Sequence, residues 1–534
     1  MTLHFLTWQF LARHIIGRWL WALAMLAAVP AGAAALHVPS YPADLSSVER
    51  LHHSARYQVL VRPHGAGEDA WRRATVFETR NDWVLYDFFH PDPARRRDVL
   101  QPAGQVGLSR VIPGRLDTGK ADLRTASFSP FSFEGMAVDV RIKLLDPAAR
   151  ARTVTVRPLR RAIPAVIAAD GRTVDITLQR AQKLSVEIND RLDPLFLFAD
   201  APDVPDTAAT HYFGPGVHRL PGDGTLHLKS HERVYIAAGA IVEGRFDLAE
   251  GSEHITIRGR GLLSGGEWPF EKVDPRWQYT RPAIGGKGSH HFTLEGITLV
   301  QSTTWQVALE DGGGNATHHN QYRNFKTVSW NGCTDGIWVT GDHNVVDDVF
   351  IFNNDDFFVT KGGRGTRVSN AVVWGGTWGR ILLVQNIYRD THPVEDLVIE
   401  HVDMIGKEGA HVLFVLESFS TPSRRVRKNA RGITIRDLVV EERRRSGNSN
   451  NVPYNMAGLF GFDTSHAPGR IDDLTFEDIV LDQWFADEGH IVGTEQSPIH
   501  GLTLRNIRAG GTRLGAHGFN PVRFNRHVHG VRIE

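Results

Sequence analysis

The chain has 534 residues, more than one compact core organises, so two domains are expected. Its 60 basic and 60 acidic side chains cancel, which excludes a global field selecting nucleic acid or an acidic polymer. One cysteine, Cys333, excludes a disulfide framework; it reads as a small buried hydrophobe in a turn, not as a nucleophile.

Residues 1–36 read as an export leader. Arg13, His14 and Arg18 form a basic flank, Trp19 to Pro30 an apolar core and Ala31 to Ala35 a run of small residues for cleavage. The apolar run is shorter than the ~20 residues a spanning helix needs. Cleavage is therefore expected near Leu36, leaving a periplasmic or secreted protein with no membrane contact.

Residues 37–205 read as short alternating strands separated by regular turn signals. They include RYQVLVRP from Arg56, DWVLYDFF from Asp82, MAVDVRIKLL from Met136, TVDITLQ from Thr173 and LSVEIND from Leu184. This texture predicts an antiparallel β-sandwich. The Pro/Asp-rich stretch Ala201 to Thr210 marks its end.

From 206 to 534 the texture is repetitive. A motif of alternating β-branched and polar residues recurs as HITIRG (His254), FTLEGI (Phe292), FKTVSW (Phe325), VDDVFI (Val346), VSNAVV (Val368), LVIEHV (Leu397), ITIRDL (Ile433), LTFEDI (Leu474) and LTLRNI (Leu502). Helical periodicity is nearly absent. The fold class is therefore all-β, a sandwich followed by a right-handed parallel β-helix whose coils stack about 4.8 Å apart. The stretches from His211 to Leu220 and from Val234 to Phe246 read as a cap over the first regular coil, and Val522 to Glu534 as a cover for the other end.

The segment Trp330 to Lys361 carries the chemistry. Asp335 precedes the apolar strand GIWV, and the pair Asp355–Asp356 precedes FFVT, an offset of 20 to 21 residues that matches one coil. Stacking then brings three carboxylates together. Their mutual repulsion raises at least one pKa, and a protonated acid beside an ionised base is the equipment for cleaving a glycosidic bond. Aligning ILLV (Ile381) and VLFV (Val412) with these strands adds Trp378, Arg380 and His411 to the row; Trp305 and Gln306 fall one coil earlier. Indole faces stack on sugar rings, and an arginine fixes a hydroxyl or holds a carboxylate ionised. A row along the helix axis suits a linear polysaccharide.

The series ITIRGRG, STTW, TDG and NDD resembles the pectinase-type β-helix glycosidases, families 28 and 49 of the glycoside hydrolases. The resemblance implies that Asp335, Asp355 and Asp356 are the catalytic trio, that Asp355 is the acid, that hydrolysis inverts the anomeric centre and that no cofactor is needed. Family 28 has Gly-His-Gly one coil after the pair and Arg-Ile-Lys one coil further. Here GGTWGR puts Trp378 at the first place, and EGAHVLFV occupies the second. Without that basic pair a uronate carboxylate lacks its partner. The N-terminal domain and the missing histidine look more like family 49, which implies a neutral α-glucan of the dextran or pullulan kind.

Each acid also has a bland reading. Asp335 can shape a turn before glycine, and Asp355 or Asp356 can support an asparagine ladder with Asn353 and Asn354. Asp347–Asp348 reads as a solvated pair elsewhere on the coil. Trp330, Trp338 and Trp374 read as core, and His290–His291 as turn residues. His318–His319 lack a third ligand at metal spacing, so no metal site is expected. The rivals to hydrolysis are a polysaccharide lyase acting on uronate glycans, a β-helix that binds glycans without cleaving them, and a glycosyl-transferring enzyme.

Overall fold

The computed structural model describes residues 34–81, 123–268, 281–312, 316–331, 333–376, 379–385, 393–408, 412–417, 429–443, 458–463, 470–485 and 488–534. Among them the chain is almost entirely β, with a few single-turn 3₁₀ segments and no α-helix. No helix there is long and apolar enough to cross a membrane. Most of the leader stretch lies outside the described residues. Ala35 and Leu36, counted with the leader from sequence, are instead built into an edge strand, Ala35–His37, that pairs antiparallel with Ser132 to Glu134.

Two sheets, of seven and five strands, make up the N-terminal part. Strands Tyr57–Pro63, Val138–Leu144 and Thr173–Leu178 anchor the smaller one; Thr125–Glu134, Gln182–Ile188 and Leu195–Asp200 anchor the larger. The strict alternation in YQVLVRP and VDVRIKL points every second residue inward. Val59, Val61, Val140 and Ile142 thereby share one buried cluster with Phe131, Phe133, Leu184 and Val186 of the larger sheet.

From His211 onward the chain winds into stacked coils. One long parallel sheet runs through the recurring motif, with Ile257, Leu294, Tyr322, Val346, Val368, Ile399, Ile435, Phe476 and Leu504 in register. The motif has a conformational reason. Asp348, Asn370, His401, Asp437, Asp478 and Asn506 all sit at φ between 49° and 55°, at the corner that bends one strand into the next. Asn and Asp tolerate this left-handed geometry better than other side-chain-bearing residues. FKTVSW departs from the expected column. Its strand, Lys326–Val328, is the second leg of a coil, and Gln321–Arg323 occupies the first.

The stretches expected to cap the helix and close its first turn lie in the stack itself. His211–Phe213 and Gly216–Arg219 pair in parallel with the strands of the next coil, so they are the first coil itself. At the other end Val522–Phe524, Val528–His529 and Arg532–Ile533 extend the stack.

A second parallel sheet runs along the coils beside the first. Its strands Val307–Glu310, Ile337–Trp338, Phe358–Thr360, Leu382–Gln385 and Phe414–Glu417 follow one another coil by coil. Aliphatic and aromatic side chains fill the space inside the coils, including Val307, Ile337, Phe358, Leu382 and Phe414.

The N-terminal sheets pack along the flank of the coils. Phe196 and Phe198 meet Phe350, Phe352 and Trp374 with ring centroids 4.8–6.0 Å apart, and Trp330 donates its indole N–H to Thr79 at 3.0 Å. Trp330 and Trp374 are core, as expected, but the core of this junction and not of the coil interior. Buried charges cross it in pairs. Lys326 donates to Asp200 at 2.6 Å, with burial pushing the lysine down to about 8, and Arg157 contacts Glu441 and Glu442.

Candidate active site

The ladder register decides which side chains share the acid row. Ile337 pairs with Phe358, Phe358 with Leu382 and Leu382 with Phe414. Asp335, Asp356 and Arg380 therefore stack on consecutive coils. Val307 pairs with Ile337, so the same register sets Trp305 beneath Asp335. The sequence alignment was one residue out at the last coil. Leu413, not Val412, follows Ile381, so Val412 completes the row. His411 and Trp378 lie outside the described residues.

Asp335, Asp355 and Asp356 each offer a carboxylate oxygen within 4.8 Å of the other two. The turn is held by the asparagines beside them. Asn353 donates to the carbonyls of Thr334 and Asp356, and Asn354 to that of Trp330. The asparagine amides thus carry most of the structural work of the NNDD turn, with Asp355 Oδ1 accepting the Asp356 N–H at 3.0 Å.

Burial of the trio is nearly complete, with relative exposures of 7% for Asp335, 8% for Asp355 and 1% for Asp356. Burial, with the neighbouring Asp356 charge, pushes Asp335 up to about 7, against a hydrogen bond from Trp338 Nε1 at 2.9 Å that favours its ionised form. Burial and the charges of Asp335 and Asp356 push Asp355 well above the usual carboxylate range. Arg380 grips Asp356 with two donors, Nε to Oδ1 at 2.5 Å and Nη2 to Oδ2 at 2.6 Å, and stands 3.8 Å from Asp355. Within one cluster, then, one carboxylate is clamped by a guanidinium and two are driven toward their protonated forms.

Two of the residues expected to bind substrate have other positions. Gln306 is 0% exposed and accepts from the Ser302 hydroxyl at 2.5 Å, so it presents no surface to a glycan. Arg380 is only 6% exposed, and of the two roles open to it the clamp on a carboxylate is the one observed. Trp305 is half-buried, its ring 4.3 Å from that of Trp338.

Trp338, Lys361 and Lys407 were missed from sequence. Trp338 bridges Asp335 and Trp305, and Lys361 lies over its ring at 3.5 Å while donating to Glu310 at 3.0 Å. Lys407 is fully buried, donates to the Gly379 carbonyl at 3.0 Å and is pushed down to about 7 by burial. A Trp three residues after Asp335 was readable as a hydrogen-bond donor; Lys361 follows the strand that Asp356 precedes and Lys407 ends a strand of a later coil, and neither carried a local signal.

Asp348 behaves as a corner residue, largely exposed and paired with Lys183 at 2.7 Å. Cys333 is half-buried at φ 49°, less enclosed than expected. His318 and His319 do have a third imidazole within reach: His290 stacks on His318 at 4.5 Å and His291 on His319 at 5.2 Å, one coil away.

No family model matches the chain. No curated protein matches it. Among solved structures it is similar to Dex49A from Penicillium minioluteum, at 16% identity and a TM-score of 0.67, over 93% of this chain and 96% of that one. The two chains share a fold. A family 28 exopolygalacturonase from Yersinia enterocolitica is also similar, at 12% identity and a TM-score of 0.34, over 74% of this chain and 96% of that one. The second score is too low to carry an argument, and the first, at its identity, speaks for shared fold alone.

Proposed function

We propose that this chain is an exported glycoside hydrolase that cleaves a neutral α-linked glycan, dextran- or pullulan-like, with Asp335, Asp355 and Asp356. The observation that carries this reading is the convergence of the three carboxylates from two adjacent coils, two of them with raised pKa beside one clamped by Arg380. Like charges brought together in a buried site cost stability, and a carboxyl with a raised pKa is suited to holding the proton that a general acid donates. The resemblance of the acid spacing to family 49 and the likeness in fold to Dex49A support the same reading. In it, residues 37–205 form a β-sandwich that braces a right-handed β-helix over 206–534.

Asp355 donates its proton to the departing glycosidic oxygen as the bond to the anomeric carbon breaks. Asp335 and Asp356 hold a water, and Asp335 takes the proton that this water loses as its oxygen bonds to that carbon. A neutral substrate fits because Arg380 is engaged by Asp356 and Lys361 by Glu310, while Lys407 is fully buried and donates to the Gly379 carbonyl. The half-buried Trp305 offers part of an indole face to a sugar ring.

Inverting enzymes usually separate acid and base by about 6.5–9.5 Å and retaining ones by about 5–5.5 Å. One oxygen of each carboxylate here lies within 4.8 Å of the others, closer than either class, so the nearest atoms do not choose between them. The anomer of the first product, followed by proton NMR, decides between inversion and retention.

The test compares initial rates on dextran-like, pullulan-like and pectic polymers, with Asp355→Asn and Asp335→Asn as controls. Each substitution is expected to cost about 10²–10⁴-fold in turnover, the usual contribution of a general acid or base. Both variants cleaving at near-normal rates would place the site elsewhere. Preferential attack on the pectic polymer would move the substrate to uronates, and a new ultraviolet-absorbing double bond in the product would make the reaction a lyase elimination.

A further inference from the structure

Along the opposite ends of the strands that carry the acids runs a ladder of imidazoles. His231, His254, His291, His319 and His343 occupy successive coils at φ between 53° and 66°, with ring centroids 4.8–5.4 Å apart. Beside it runs a second column, Glu253, His290, His318 and Asp342, joined residue to residue by parallel bridges. Neighbouring columns touch through their nitrogens: His290 Nδ1 is 3.0 Å from His291 Nδ1, and His318 Nδ1 is 3.0 Å from His319 Nδ1. His290, His291 and His318 each present a nitrogen within 4.8 Å of the other two.

We propose that His290, His291 and His318 form a surface site for one first-row divalent cation that prefers imidazole, of the Zn²⁺, Ni²⁺ or Cu²⁺ class, set across two adjacent coils. Two nitrogens bound to one ion at about 2.0–2.1 Å lie about 2.9 Å apart at a right angle and about 3.4 Å apart in a tetrahedron. The His290–His291 contact falls in that range without rearrangement. His318 comes from the next coil, held in line by its backbone bridge to His290. Glu253 Oε2, 3.9 Å from His290 Nδ1, adds a carboxylate at the edge of the set. Calcium and magnesium are not expected, because they prefer oxygen ligands. Coils in such a stack contact only their neighbours, so an ion shared by two of them acts as a clip.

The test uses the untagged chain with Zn²⁺ alone, titrated by calorimetry, and with Co²⁺ followed by its visible bands. The expected result is one equivalent bound and a melting temperature that rises with Zn²⁺, because binding to the folded state alone stabilises it. The double variant His290→Gln/His318→Gln is expected to bind at least about 10–100-fold more weakly, the loss already typical of groups that only orient a ligand. It loses the Zn²⁺-dependent melting shift, while glycan hydrolysis is unchanged. His291→Gln, at an exposed position, gives the same result if the double variant folds poorly. Failure to bind one equivalent overturns the proposal. So does binding that survives these substitutions but is lost in Asp335→Asn, which would place the ion at the acids.

Discussion

At the scale of single residues the site is an assembly of opposed electrostatic demands. Asp335 is held near a pKa of about 7 where an ordinary aspartate has 3.8. The folded chain therefore keeps a proton that the unfolded chain has released between those pH values. It binds more protons than the unfolded state there, so stability falls as pH climbs from about 4 to about 7 and stays lowered above. Asp335→Asn removes this effect. The variant is expected to melt near the wild-type temperature at pH 4 and above it at pH 8, by on the order of a few kcal/mol, while losing turnover. Equal melting at pH 8 would show that Asp335 is not desolvated as described. Trp338→Phe keeps a ring against Trp305 but removes the N–H that favours ionised Asp335. Its acidic limb in a pH–rate profile is expected to move to higher pH, since the base must lose its proton to act.

At the scale of elements, short strands and tight corners replace long regular structure. Gly341, which follows the strand bearing Trp338, sits at φ 103°, and a Cβ there would lie 2.0 Å from the Thr317 carbonyl oxygen of the preceding coil. Gly363 repeats the arrangement one coil on, against Gly341 itself. Gly341→Ala is expected to destabilise by roughly 1–3 kcal/mol from backbone strain alone, and by more where the coils are forced apart. Urea unfolding measures it, and an unchanged midpoint would mean that the corner relaxes freely. The asparagines add a second corner device. Asn344 accepts the Asn320 N–H, and Asn320 accepts that of Phe292, both at 2.9 Å, which carries order from coil to coil.

At the scale of the whole molecule the two parts share one buried junction. Phe196 packs at tilted and edge-on angles against Phe350, Phe352 and Trp374, and the strand of Phe350 and Phe352 leads directly into the turn bearing the NNDD acids. Phe196→Ala is expected to cost about 3–5 kcal/mol and to lower the melting of both parts together. A lone early transition in the N-terminal sheets, with the coils melting as before, would show that the junction does not couple them. The ion pairs across the same face give register more than strength, because buried charges spend most of their attraction on lost hydration.

The all-β class, the coil repeat and the meeting of Asp335 with Asp356 were legible in the sequence by itself. Each rests on local chemistry: alternation sets the strands, left-handed Asp and Asn corners set the repeat, and a 20–21 residue offset is one coil. Only the tertiary structure decided what faces what. It set Val412 in the acid row, buried Gln306, turned Arg380 onto Asp356, brought Lys361 and Lys407 to the acids and aligned His290 with His318. The physical reason is the coil itself. Its loops differ in length, so one residue more or less shifts every later neighbour, and contacts between coils depend on the accumulated register and not on any local signal.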